Sequence, residues 1–163
     1  MLKKLILILL FGFCLQIQAQ NFKDSIFEDH SIADQLYTKR FKNLNQGAVF
    51  FEKYPNYKRT DVCSLMYCMM LLSFREKEAQ QAGEDLLRGI ATQLYREGNP
   101  VYMIMGTDSY LSAKTKNENL QDDNHIVYIS YAECTSPYFL SKAADIINEQ
   151  TMSLLYRNTK QQN

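Results

Sequence analysis

Asn99-Pro100-Val101-Tyr102-Met103-Ile104-Met105 is the stretch on which the fold class of this chain turns. The residues after the proline form a short apolar run, and such a run fits a buried strand as well as a buried piece of helix. The flanks favour the helix. Asn99 is a cap residue, and Pro100 suits a first helical turn, where the N–H it lacks would be unpaired anyway. The same ambiguity covers Ile126-Val127-Tyr128-Ile129-Ser130-Tyr131, where Asp122-Asp123-Asn124 supplies the helix-start signal. With 101–113 and 125–134 helical, the expected fold is all-α, a small single-domain bundle of about five helices. With both extended it is α+β, with short strands near 101–105 and 126–131.

On the N-terminal side the pattern is firmer. Gly98 stops an amphipathic helix with Leu87, Ile90 and Leu94 on one stripe and Glu84, Asp85 and Arg88 elsewhere. Ahead of it, Val62 to Phe74 is apolar on nearly every face and is capped by Thr60-Asp61, which predicts a helix at the centre of the core. Ser31 caps a first helix carrying Ala33, Leu36, Tyr37, Phe41 and Leu44, with Gly47 as its stop, and Val49 to Pro55 is an aromatic connector. On the C-terminal side, Ser136-Pro137 opens a last helix with Leu140, Ala143, Ile147 and Leu154 on one stripe. It should end near Arg157, leaving a polar, frayed tail. Between packed segments, Lys114 to Asn124 is the most polar stretch and is expected to be an exposed loop of about 11 residues.

The first 19 residues have the form of an export signal: basic Lys3 and Lys4, apolar Leu5 to Leu15, and Ala19 before the cleavage point. The apolar stretch is well short of the ~20 residues a membrane span needs, so cleavage and a periplasmic or secreted protein with no membrane span are expected. About 144 of the 163 residues would remain, enough for one domain to build a core unaided. Removing two lysines from 18 basic residues leaves 16 against 18 acidic ones, a formal charge of −2. That balance disfavours a nucleic-acid partner.

Catalytic equipment is sparse. His30 and His125 are the only two histidines, and neither belongs to a recognisable motif. The glycines are isolated, so no phosphate-cradling loop is present. Asp122, Asp123 and His125 fit a capping cluster better than a metal site. No cofactor, no metal and no enzymatic activity are expected.

The chain after the signal keeps Cys63, Cys68 and Cys134, and export permits a disulfide. On one helix Cys63 and Cys68 would lie about 140° apart around the axis and could not pair. One of them would then pair with Cys134, unless all three are buried thiols.

The order of features continues with Cys68 before an Ala-rich acidic helix (Ala79, Ala82, Glu84, Asp85). Glu97-Gly98-Asn99-Pro100 then precedes an aromatic segment, and Cys134 stands with Ser136 and Leu140. From about Thr60 to Ala144 this arrangement resembles the periplasmic immunity proteins that neutralise type VI secretion amidase effectors. The resemblance implies a disulfide between Cys68 and Cys134 and a non-enzymatic inhibitor that occludes a peptidoglycan amidase. Cys63 is an addition to that pattern. Exposure places the contact with a protein partner at Lys114, Lys116, Glu118, Asp122 and Asp123. An envelope binding or assembly component is the alternative function, and a homodimer is the alternative association.

Overall fold

Val101–Met105 is a strand, not a helix. The computed structural model describes residues 31–42, 44, 52–55, 62–119, 125–132 and 135–162. Within them, β3 (Val101–Met105) pairs in parallel with β4 (Val127–Ala132), Val101 opposite Val127 and Met103 opposite Ile129. The protein is therefore mainly helical with a small parallel sheet, which replaces the all-α expectation with its α+β alternative.

The reason lies one turn upstream. Helix α3 (Lys77–Arg96) ends with the Asn99 N–H donating to Leu94 O at 2.9 Å and the Gly98 N–H donating to Tyr95 O at 3.1 Å. Gly98 takes φ +79, so this is a Schellman closure. Asn99 thus terminates the preceding helix instead of starting the next one. Past Pro100 the side chains alternate, with Val101 and Met103 buried and Tyr102 and Ile104 half-buried. The first rung is the Val127 N–H donating to Pro100 O at 2.7 Å.

The remaining elements are α1 (Ile32–Thr38), β1 (Phe41–Lys42), β2 (Val62–Cys63), α2 (Leu65–Leu71), α4 (Ser109–Glu118) and α5 (Tyr138–Gln162). β1 and β2 pair antiparallel, Phe41 opposite Cys63. α3 packs on α2 and α5, α5 on β3, and α4 on β4 as the crossover between the parallel strands. Leu87, Ile90 and Leu94 of α3 are buried as their stripe predicts, with Val101, Leu65, Met69 and Ile147 around them. Three boundaries differ from expectation. α1 stops at Thr38, which places Phe41 in a strand, and α5 runs on to Gln162, past Arg157. α2 begins only at Leu65, where Ser64 Oγ accepts the Tyr67 N–H at 3.2 Å.

That last shift changes the disulfide. Cys63 lies in an extended strand before the cap, so the helical angle that separates it from Cys68 does not apply. The two are bonded across a Cα–Cα distance of 6.0 Å, and both are buried. The expected Cys68–Cys134 bridge is corrected to Cys63–Cys68, and Cys134 lies outside the described residues, as does the signal segment 1–19. Trypsin places both bonded cysteines in one peptide, Thr60–Arg75. After alkylation without reduction, that peptide should run two hydrogens light and Cys134 should appear in an unlinked peptide. A cross-linked pair would refute the pairing. Because the loop is short, Cys63→Ala with Cys68→Ala should lower stability by about 2 kcal/mol in denaturant titration.

A two-stranded sheet leaves two open edges, and in a parallel strand alternate residues aim both backbone polar groups outward. On each edge one residue's backbone pair is taken up by an asparagine. Asn148 of α5 accepts the Met103 N–H (2.7 Å) and donates to Met103 O (2.9 Å). Asn117 of α4 does the same for Tyr128, at 2.8 Å for both bonds. Each side-chain amide thus supplies the one rung that a neighbouring strand would make at that residue.

Candidate functional site

Helix α4 carries three of the five residues that the sequence assigned to a partner contact, Lys114, Lys116 and Glu118, and its construction is unusual. It leaves β3 through Gly106, at φ +129, and Asp108, at φ +60, two left-handed residues that turn the chain back over the sheet. The face toward the sheet is Ser109, Ala113 and Asn117, spaced four apart. Ser109 and Ala113 are 3% and 4% exposed. The Ser109 hydroxyl lies 2.7 Å from Ser130 Oγ and donates to Ala132 O at 3.0 Å. Small and polar residues are thus spent on holding the helix close to β4.

The large apolar residues of the helix are left open to solvent. Tyr110 is 58% and Leu111 62% exposed, and Met105, at the end of β3, is also open to solvent. At 100° per residue Tyr110, Lys114, Glu118 and Leu111 fall within a sector of about 100°, one stripe. Lys114 Nζ and Glu118 Oε1 are 3.8 Å apart on it, an exposed pair that contributes little to stability. Lys116 lies off this stripe, with its ammonium 4.6 Å from the centre of the Tyr128 ring, which in turn meets Tyr102 across the sheet at 6.0 Å.

Lys114, Lys116 and Glu118 are therefore helical, not part of a loop. Asn119 N–H still donates to Thr115 O, so the helical turn persists as far as Asn119. The physical reason is that Lys and Glu are good helix formers and Asn117 is anchored on Tyr128. Asp122 and Asp123 lie outside the described residues. Tyr110 and Leu111, the exposed apolar residues of this helix, were not singled out in the sequence. Helical spacing gave no signal for them: at 100° per residue Tyr110 lies only about 20° from Asn117, so only the packed structure separates the exposed side from the sheet-facing one.

Displaced titrations belong to scaffold contacts elsewhere. Lys39, 2.6 Å from Glu97, holds that carboxyl below its ordinary value, and hydrogen bonds to Asp85 and Tyr54 hold the Lys53 ammonium above its own. Burial pushes the Tyr37 and Tyr54 hydroxyls up. Cys63 and Cys68 are bonded to each other, and His125 is exposed at φ +49 ahead of β4. Among the described residues no three His, Cys, Asp or Glu side chains gather as metal ligands would, and no helix is long and apolar enough to cross a membrane. Comparison with family models, with characterised proteins and with solved structures finds no match.

Proposed function

We propose that this chain is a non-enzymatic binding protein of the periplasm or the cell exterior, which engages a protein partner through the outward stripe of α4. The observation that carries the reading is the inverted helix: Tyr110 and Leu111 point to solvent while Ser109 and Ala113 face the sheet. Exposed aromatic and aliphatic anchors with a charged rim have the makeup of an interaction surface. The support beneath is rigid, since Asn117 and Ser109 tie the helix to β4, and a rigid surface loses less entropy on binding.

The resemblance names a peptidoglycan amidase effector as the first partner, inhibited by occlusion of its cleft. Pairing of Cys68 with Cys63 favours the second reading, an envelope binding or assembly component, because it removes the bridge that the resemblance implies. Capture from envelope extract, followed by affinity measurement against the recovered partner, tests both. Tyr110→Ala with Leu111→Ala should weaken binding more than tenfold. Lys114→Ala should change it less than threefold. Unchanged affinity in the double variant would rule out the α4 surface. A recovered hydrolase whose activity survives saturation with the protein would rule out inhibition.

A further inference from the structure

A short helix that is apolar on nearly every side cannot hide all of them in one core. α2 buries Leu65, Cys68, Met69 and Leu71 and turns Met66, Tyr67 and Met70 to solvent, each about half exposed, with Phe74 just beyond it equally open. The three helical residues span a sector of about 100°, a single face. It is not where the all-round apolar pattern put it: the helix lies at the edge of the core, not its centre.

We propose that this face joins two copies of the chain in a weak two-fold dimer. In such a dimer a patch meets itself, so its rim must be self-complementary in charge. No charged residue occurs from Val62 to Phe74, and the exposed residues that follow, Arg75, Glu76 and Lys77, alternate in sign. Two copies related by a two-fold axis can set Glu76 against a partner cation, whereas a rim of one sign would repel. The size of the face sets the strength of the contact. Half-exposed side chains of this bulk offer about 100 Å² each, about 400 Å² per copy. Doubled by symmetry, that stays below the roughly 1,200 Å² of a stable interface. The face is also held firm, pinned at its start by the Cys63–Cys68 bridge and backed by Gly83 of α3.

Sedimentation of the disulfide-intact protein from micromolar to millimolar concentration is the test. The expected result is a reversible monomer–dimer equilibrium with a midpoint in the tens to hundreds of micromolar. Met70→Asp, which sets a negative charge near its own symmetry mate, should raise that midpoint at least tenfold. Met70→Leu should leave it within threefold, and circular dichroism should show both variants folded. Glu76→Lys, which makes the rim wholly positive, should weaken the dimer at low salt and less at high salt. A protein that stays monomeric throughout, or a dimer whose midpoint Met70→Asp leaves unchanged, overturns the proposal. Because α4 takes no part in this face, Tyr110→Ala with Leu111→Ala should leave the equilibrium untouched, so its failure and that of the α4 reading are separable.

Discussion

Asn148→Asp should destabilise the protein by about 3 kcal/mol at neutral pH and by much less in acid. The side-chain amide of Asn148 serves both backbone groups of Met103, which is 2% exposed and has no water to turn to. An ionised aspartate can still accept the Met103 N–H but sets a second carboxylate oxygen against the Met103 carbonyl, leaving that acceptor unpaired beside a negative charge. Protonation supplies an O–H that donates to the carbonyl and restores both bonds. The folded-state pKa of the introduced group is therefore raised above its unfolded value near 3.9. The penalty is fully present above the folded pKa and fades as pH falls toward the unfolded one. Asn148→Ala removes both bonds at every pH and should cost about 2–4 kcal/mol without that dependence. Urea titration of the wild type and both variants near pH 7 and near pH 4 checks the pair. Equal penalties for the aspartate at the two pH values would refute the strand-mimic role.

Gly83→Val should lower stability by about 3 kcal/mol, and Gly83→Ala by about 1 kcal/mol, although alanine is the better helix former by roughly that much. A Cβ at this position in α3 would meet Leu72 Cδ1 at 2.7 Å, Leu71 Cβ at 2.9 Å and the Cys68 carbonyl oxygen at 3.3 Å. The leucine tip can swing away. The Leu71 Cβ and the Cys68 backbone cannot, because both belong to the helix that the disulfide anchors. The added methyl must push α2 and α3 apart, and the branched valine pushes further. Thermal unfolding monitored by circular dichroism reads the effect, and an alanine variant more stable than wild type would show that the two helices can separate at no cost.

The local signals that proved sound are those whose physics is local. Leu87, Ile90 and Leu94 announced the buried stripe of α3 through helical spacing, and Gly98 announced its end through the left-handed residue a Schellman closure needs. Ser136-Pro137 likewise marks the start of α5 to within a residue, although the helix begins at Tyr138 and Pro137, whose carbonyl accepts the Ser141 N–H, takes the cap position instead of the first turn. Misreadings arose where one residue type serves two purposes. Asn99 caps helices at either end, and only its N–H bond to Leu94 O shows which. Thr60-Asp61 and Ser64 are all good caps, and choosing the earlier pair placed Cys63 on a helix and forbade the bridge that the later start permits.

The sequence by itself determined the helices long enough for periodicity to outweigh other signals, and the balance of charge. Tertiary structure alone decided that Val101–Met105 and Val127–Ala132 are strands, since a five-residue apolar run gains the same burial either way. What separates the two outcomes is partners for the backbone: each strand finds them in the other, in Asn148 and in Asn117, residues between 11 and 45 positions away. It also decided which side of α4 faces out. Ser109, Ala113 and Asn117 are unremarkable in sequence, and only the closeness of β4 makes small and amide side chains the ones that fit beneath the helix and leaves Tyr110 and Leu111 to meet whatever comes from solvent.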